Sequence, residues 1–209
     1  MEPNLFVLDF ETTGLNPYLD NVIELAIKKL STDHHYQVLV KPPELPRGLV
    51  KYIPPHITKI TNITDRMIEN TSVIPEIAVH NMFQYINNHS TRGPIYIISH
   101  NGTTFDFIIL KKLIKDHNIS PRIVKRLNFI DTLLVAKSFM KDQRFRQRDL
   151  CKKYDVVNDA EHRALGDVDA LEQIYKALCH EYSLMKCVDD DYYLNHPNEL
   201  MSDLLIKVS

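Results

Sequence analysis

The feature that most restricts the folds open to this chain is a short apolar run that ends in two acidic residues. Leu5 to Leu8 (LFVL) is followed directly by Asp9-Phe10-Glu11. Four consecutive apolar residues predict a strand that is buried on both faces. Because side chains alternate along a strand, Asp9 and Glu11 point to the same side. Two like charges at the end of a core strand repel each other and lose hydration, so the fold must supply something that stabilises them.

The rest of the pattern predicts an α/β fold. Further strands are predicted at 22–30, 36–40, 95–98 and 129–130, and helices at 76–89, 104–117, 131–139, 149–154 and 162–185. Strands come first, as a meander, and then alternate with helices, which predicts a mixed sheet covered by helices. The proline-rich segment that begins at Lys41 is predicted to be irregular at first. We expect one domain over residues 1–186, followed by a tail at 187–209 that packs on the domain or binds a partner.

Length, charge and cysteine content narrow the class of protein. A chain of 209 residues has room for one well-buried core. The net charge of −2 excludes a global basic field for nucleic acid, although a local basic groove remains open. Three cysteines without CxxC spacing indicate reduced thiols. With no membrane-length apolar run and no signal-peptide pattern, we expect an intracellular protein, cytoplasmic or nuclear, with no membrane contact.

Two further acidic residues lie on apolar helix faces. Asp167 shares a face with Ala164 and Leu171, at the three-to-four spacing of a buried helix stripe. Asp106 shares a face with Ile109 in the same way. With Asp9 and Glu11, four carboxylates therefore occupy positions where the local pattern favours apolar residues.

These four acids are interpreted as metal ligands. The alternative for each one alone is a helix N-cap or the partner of a buried arginine, but no arginine is expected on the inward stripes. Hard oxygen ligands suit Mg²⁺ or Mn²⁺, and without a nearby Cys or His cluster zinc is not expected. Four carboxylates carry enough charge for two ions, the arrangement used for in-line phosphoryl displacement.

His162 lies five residues before Asp167, where the last long helix is predicted to begin. A histidine at the mouth of such a site suits a general base. The alternative is an ordinary surface histidine, since the chain contains ten.

Three motifs, in order, resemble those of the DnaQ-like (DEDDh) 3′–5′ exonucleases. They are D-x-E-T-T-G at 9–14, H-N-G-x-x-F-D at 100–106 and H-x-x-x-x-D at 162–167. The segment 56–61 resembles the HGIT segment of that family, with lysine in place of the usual glycine. HNGTTFDF is also similar to the corresponding segment of the three-prime repair exonuclease branch. The resemblance spans roughly residues 4–180, and three motifs at family spacing are a far more specific signal than DFETTG alone.

The resemblance implies an α/β RNase H-like three-layer fold, with a five-stranded mixed sheet flanked by helices. It implies two Mg²⁺ ions, with Mn²⁺ as substitute, held by Asp9, Glu11, Asp106 and Asp167. His162 would be the general base, and the products would be nucleoside 5′-monophosphates released from a 3′ end.

The resemblance also implies contacts to the terminal nucleotide. The backbone at Glu11 and Thr12 would contact the 3′ hydroxyl, Leu15 would wedge beside the last base, and Ile57 and Phe105 would line its pocket. Asn101 belongs to the same predicted substrate-binding set. The alternative for each apolar member is ordinary core packing.

A basic stretch, KDQRFRQR at 141–148, is the candidate for binding phosphates further along the strand. Arg144 and Arg146 flank Phe145, and arginine with an interleaved aromatic suits a single-stranded backbone with stacked bases. The alternative is a solvated loop before a helix.

The expected partner is a nucleic-acid 3′ end, DNA more than RNA, single-stranded or frayed. Three alternatives stay open: an exoribonuclease, a proofreading subunit whose tail binds a polymerase or another replication or repair protein, and an inactive nucleic-acid-binding module. The last is disfavoured because all five motif residues are present. The oligomeric state is not predicted.

Overall fold

A five-stranded sheet forms the centre of the described molecule. The computed structural model describes residues 2–43, 53–141 and 144–204. Residues 44–52 of the predicted irregular segment, 142–143 of the basic stretch and 205–209 of the predicted tail lie outside these ranges. The strands are β1 Asn4–Thr12, β2 Val22–Lys29, β3 His35–Leu39, β4 Ile95–Ser99 and β5 Leu127–Asp131.

The strand order is β3-β2-β1-β4-β5. The pairs β1–β2 and β2–β3 are antiparallel, whereas β4 runs parallel to both β1 and β5. The mixed sheet and the initial meander are thus confirmed. Because β1, β4 and β5 are parallel, their carboxyl ends lie at one edge of the sheet, and the segments that follow them meet there.

Helices cover both faces of the sheet. They are α1 Pro55–Thr61, α2 Asp65–Thr71, α3 Pro75–His89, α4 Asp106–Asp116, α5 Pro121–Val124, α6 Thr132–Phe139, α7 Gln147–Lys153, α8 Ala164–Lys186, α9 Tyr192–Asn195 and α10 Pro197–Asp203. Leu5 and Val7 of β1 pack with α6 to α10, and Phe6 and Leu8 pack with α3, α4 and α5. All four side chains are at most 3% exposed. The N-terminal strand is therefore buried on both faces, as its apolar run predicted, and the fold has the three expected layers.

Two short helices, α1 and α2, follow the proline-rich segment and were not predicted. Pro55 occupies the first turn of α1, where its missing N–H is not needed. The Thr64 hydroxyl caps α2 by accepting a hydrogen bond from the Met67 N–H at 3.2 Å. Their buried isoleucines form a small separate core with Ile23 of β2.

The segment after α8 adds to the main core. Tyr193 of α9 is 4% exposed and Leu200 of α10 is fully buried. The Tyr193 ring lies 4.8 Å from the Tyr182 ring of α8, between centroids. Residues 188–204 therefore pack on α8 instead of extending away from it.

The described residues contain neither a disulfide nor a helix suited to a bilayer. Cys151, Cys179 and Cys187 are all free, which agrees with the predicted reduced thiols. Among the described helices, none combines the length and the apolar character needed to cross a membrane.

Candidate active site

Three segments bring the predicted acidic residues to one edge of the sheet. Asp9 and Glu11 lie near the end of β1, Asp106 is the first residue of α4, and Asp167 lies in the first turn of α8. With His162 they line an open cleft of about 1170 Å³. The structure therefore places all five residues in one cleft, although they are up to 158 positions apart (167 minus 9).

The cluster has the composition and spacing of a candidate divalent-cation site. Glu11, His162 and Asp167 each offer a ligand atom, and these atoms lie within 4.8 Å of one another. Asp106 is 4% exposed, and within the described ranges no hydrogen-bond partner reaches its buried Oδ1 atom. An unpaired buried acceptor is costly, and a cation would satisfy it. Carboxylate oxygens are the ligands that hard divalent cations prefer.

Burial and the charges of neighbouring acidic residues raise the pKa of all four carboxyl groups. Burial is the largest cause in each case. It raises the pKa of Glu11 to about 8, with a further contribution from Asp167, and the pKa of Asp106 to about 7. The pKa of Asp9 rises well above its usual value, because the Asp106 and Asp167 charges add to burial. Without a cation, the cluster therefore retains protons near neutral pH.

Hydrogen bonds from the preceding loop fix the Asp167 carboxylate. Its Oδ1 accepts from Asn158 Nδ2 at 2.8 Å, and its Oδ2 accepts from the His162 backbone N–H at 2.9 Å. Gln147 of α7 donates to the Asp167 backbone oxygen at 2.8 Å. His162 itself has a left-handed backbone, with φ of 65°, and an exposed side chain. The loop thus orients Asp167 and leaves the imidazole open to the cleft.

The H-N-G sequence before Asp106 forms a tight turn. Asp131, at the end of β5, accepts hydrogen bonds from the Asn101 and Thr103 N–H groups, both at 2.9 Å. A Cβ atom on Gly102 would lie 2.7 Å from the Phe107 ring, so only glycine fits there. Asn101 has a φ of 59° and is exposed in the cleft. The motif therefore provides the turn that places Asp106 at the start of α4.

Sequence reasoning missed an ion pair beside the cluster. Glu24 of β2 is 1% exposed and pairs with Arg163, whose Nη2 lies 2.7 Å from Glu24 Oε1. Glu24 lies opposite Glu11 in the β1–β2 register. The Arg163 charge lowers the pKa of Glu11, against the larger effects of burial and neighbouring acids. Arg163 lies just before α8 and not on an inward stripe, so the expectation about the stripes did not reveal this pair.

Four of the predicted substrate-binding residues line the cleft: Leu15, Asn101, Phe105 and Arg146. Leu15 is 89% exposed, which is unusual for a leucine. The structure places the other three elsewhere. Thr12 is buried and its hydroxyl donates to the Gly14 oxygen at 2.5 Å, Ile57 is 7% exposed in the small isoleucine core, and Arg144 is exposed outside the lining.

One wall of the cleft is basic. Arg146, Arg148 and Lys152 all line it, and Arg148 and Lys152 are four residues apart on α7. Residues four apart lie on the same helix face. Since Gln147 links α7 to Asp167, this basic face has a fixed position relative to the carboxylates.

The comparisons of the sequence with known proteins agree on one family. The exonuclease family (RNase_T) matches residues 6–175. The chain is 31% identical over 176 residues to the PolC-type DNA polymerase III of Thermotoga petrophila, covering 81% of this chain and 11% of that protein. It is 27% identical over 201 residues to the DNA polymerase III epsilon subunit of Rickettsia typhi, covering 91% of this chain and 80% of the relative. The chain thus spans only about a tenth of the PolC-type relatives.

Solved structures show the same fold. Exonuclease I of E. coli in complex with a dT13 oligonucleotide superimposes with a TM-score of 0.70 at 18% identity, over 96% of this chain and 46% of that one. Another structure of exonuclease I superimposes with a TM-score of 0.68 at 18% identity, over 90% of this chain and 46% of that one. The mixed five-stranded sheet flanked by helices is shared. By sequence and by fold, this chain belongs to the exonuclease family and carries a DnaQ-like domain of the RNase H-like superfamily.

Proposed function

We propose that this protein is a metal-dependent 3′–5′ exonuclease that releases nucleoside 5′-monophosphates from DNA, with single-stranded or frayed ends preferred. The observation that carries the proposal is the meeting of four carboxylates and His162 in one open cleft with a basic wall. Membership of the exonuclease family supports it.

Asp9, Glu11, Asp106 and Asp167 would hold two Mg²⁺ ions, with Mn²⁺ as a substitute. When bound, such ions lower the pKa of water and neutralise charge on the scissile phosphate. The unpaired Oδ1 of Asp106 and the raised pKa values of the cluster support this assignment. The raised values come from burial first and then from repulsion between the acids, and a bound cation would offset both.

His162 would act as the general base that takes a proton from the attacking water. Its ring nitrogen lies within 4.8 Å of oxygens of Glu11 and Asp167, and its side chain is exposed to the cleft. A base must lie within hydrogen-bond reach of the water that it deprotonates, and this location permits that.

Residues along the cleft would bind the DNA strand. Leu15, Phe105 and Asn101 would contact the terminal nucleotide, and the backbone at Glu11 and Thr12 would contact its 3′ hydroxyl. Ile57 would have to act from within the small core. Arg144 and Arg146, extended by Arg148 and Lys152, would bind phosphates further along.

A time course on end-labelled strands tests the proposal. Single-stranded DNA, frayed duplex DNA and RNA, labelled at the 3′ or the 5′ end, would be incubated with Mg²⁺ or Mn²⁺ and, as a control, with excess EDTA. We expect mononucleotides from the 3′ end of DNA and none in EDTA. Rapid cutting of circular single-stranded DNA would refute the exonuclease assignment, and faster digestion of RNA would favour the exoribonuclease.

Salt dependence tests the basic wall separately. Replacing Arg146 and Arg148 with alanine should raise KM on long strands and flatten its dependence on salt, since fewer phosphate contacts release fewer counterions. Turnover of a dinucleotide should barely change. An equal loss on both substrates would show that these arginines act at the reacting phosphate or in folding.

A second candidate is proofreading within a polymerase assembly. The relatives named as DNA polymerase III proteins favour it. Because residues 188–204 pack into the core, deleting them would confound a binding test. Leu184 and Met185, which are 56% and 57% exposed near the end of α8, are better targets. Co-purification of a polymerase that Leu184→Asp/Met185→Asp abolishes would support the partner, and a monomer that co-purifies with none would refute it.

A further inference from the structure

We propose that Glu24 and Arg163 are positioning residues that hold His162 in place over the carboxylate cluster. The inference rests on the proposed function, because it assigns His162 the role of general base. The pair lies outside the residues that line the cleft, and neither of its members is among the predicted site residues.

The pair forms a complete set of hydrogen bonds around one buried carboxylate. Arg163 donates from Nη2 to Glu24 Oε1 at 2.7 Å and from Nε to Glu24 Oε2 at 3.1 Å. The Ala164 backbone N–H donates to Glu24 Oε2 at 3.0 Å, and Gln37 Nε2 donates to Oε1 at 2.9 Å. A forked, two-point contact of this kind fixes direction as well as distance.

The position of the pair connects β1 to His162. Glu24 lies directly opposite Glu11 in the strand register. Its partner Arg163 follows His162 immediately, and His162 donates its backbone N–H to Asp167 Oδ2 at 2.9 Å. The left-handed backbone of His162, with φ of 65°, is unfavourable for a residue with a side chain, so its neighbours must hold it. Glu24 fixes the two residues that follow His162, Arg163 and Ala164, while Asp167 accepts the N–H of His162 itself.

A contact that served only to join β2 to α8 would not need the negative charge of Glu24 at this position. Glu24 lies directly opposite Glu11 in the strand register, so it places a further negative charge beside the acidic cluster. Buried ion pairs are often no more stabilising than apolar residues of similar volume. Moreover, Lys28 already joins β2 to α8 through Asp169 at 2.7 Å and Glu172 at 2.9 Å. The Glu24–Arg163 pair is therefore explained by the segment that it fixes, which is the backbone at the start of α8.

The test compares the two ties between β2 and α8. Arg163→Lys keeps the charge and loses the fork, Glu24→Gln keeps the shape and loses the charge, and Lys28→Gln is the matched control. In Mg²⁺, we expect Arg163→Lys and Glu24→Gln to lower kcat by about 10- to 100-fold, the scale on which misplacement of a reacting group acts. KM should stay within about twofold. The kcat of the double variant Glu24→Gln/Arg163→Lys should be no lower than that of the less active single variant, since both substitutions break the same contact.

Amide hydrogen exchange of the metal-free protein gives a readout that does not depend on activity. The His162 N–H should exchange at least about tenfold faster in Arg163→Lys than in wild type, because its bond to Asp167 loosens, and should be unchanged in Lys28→Gln. If Lys28→Gln lowers kcat as much as the other two at a matched fall in Tm, or if His162 exchange does not respond, the positioning role is refuted. If the wild type digests no DNA while the exchange result holds, the proposed function fails and the positioning of His162 stands.

Discussion

Helix α8 packs against β1 and β2 at two places, and the buried acidic residues have different numbers of basic partners at each. At the C-terminal place, Glu172 is 6% exposed and fully paired. It accepts from Lys176 at 2.6 Å and from the Ser31 N–H at 2.9 Å, and forms an ion pair with Lys28 at 2.9 Å. Burial alone would raise the pKa of Glu172, but hydrogen bonds from Lys176 and Lys28 lower it below its ordinary value.

At the N-terminal place, the acids outnumber the cations. Asp9, Glu11, Asp106 and Asp167 share one cleft, and Arg163 pairs with Glu24 and not with any of them. Burial and repulsion therefore raise all four pKa values. The two places lie on one helix and one sheet. Among the described residues, lysines pair with the buried Glu172 at the C-terminal place, whereas the four cleft carboxylates form no ion pair with a lysine or arginine. Uncompensated charge at the other place is what a cation-binding catalytic site requires.

The largest expected effect is a loss of activity on substitution at the N-terminal place and not at the C-terminal place. Asp9→Asn should lower kcat by roughly 10³-fold or more, since a metal ion supplies several kcal/mol of charge stabilisation and each 1.4 kcal/mol is about tenfold in rate. Glu172→Gln, at the paired place, should leave kcat nearly unchanged. Asp9 is a better choice than Asp167, whose two oxygens both accept hydrogen bonds that an amide would disturb. Mononucleotide release in Mg²⁺ measures both variants, and equal losses would remove the distinction.

The next effect concerns His162, which lies at the N-terminal place but is not one of its acidic residues. His162→Ala should lower kcat by about 10² to 10⁴, the usual contribution of a general base, with KM nearly intact. The rising limb of kcat against pH should vanish or move in the variant. The deficit should shrink at high pH, where solvent supplies hydroxide. If the variant keeps more than about a tenth of wild-type kcat with chemistry rate-limiting, His162 is a surface residue.

A smaller effect concerns stability at the paired place. Lys28→Gln removes a cation whose side chain is only 15% exposed and leaves two acids with fewer partners. We expect the free energy of unfolding to fall by about 2–3 kcal/mol, the scale of hydrogen bonds to charged groups, with kcat within about twofold of wild type. Urea unfolding measures the first quantity and DNA digestion the second. A large loss of activity at unchanged stability would show that this place also serves catalysis.

The acidic cluster at the N-terminal place was predicted from the sequence, whereas the ion pairs of Glu172 at the C-terminal place were not. Acids at the ends of apolar elements stand out locally, so Asp9, Glu11, Asp106 and Asp167 could be found from periodicity. Paired acids leave no such trace. At the C-terminal place, Glu172 lies 141 positions from Ser31, whose N–H it accepts, and no pattern within a short stretch of sequence indicates such a contact.

The same limit explains the misses in the fold. The run Leu5 to Leu8 correctly predicted a strand buried on both faces, because period and apolarity agree there. Helix α1 was missed because clustered prolines suggest irregular chain, whereas Pro55 here opens a helix. An isolated apolar residue such as Ile57 has no local signal that tells a ligand pocket from a small core, and the structure puts it in the core.

The smallest expected effect is a difference in how the two places respond to pH without metal. The pKa of Glu11 is raised from 4.5 to about 8, and that of Asp106 from 3.8 to about 7. The folded state therefore binds more protons than the unfolded chain between these values, so stability falls as pH rises from about 4 to about 8. Glu172 has a lowered pKa, so its contribution is present above pH 4.5 and is lost only as the pH falls below it.

In EDTA, wild-type Tm should thus decline between pH 5.5 and 8.5, and the decline should be shallower in Glu11→Gln. Since protons that remain bound relieve part of the repulsion, we expect the difference between the two proteins to be about 1 kcal/mol, or about 2–4 °C for a domain of this size. Glu172→Gln should decline in parallel with wild type, because its group does not titrate in this window. Added Mg²⁺ should raise the Tm of wild type more at pH 8.5 than at pH 5.5, since the cation competes with protons for the same oxygens. A Tm that is flat across this range in EDTA, with equal gains from Mg²⁺ at both pH values, would show that the four carboxylates are compensated within the fold, and the contrast between the two places would be lost.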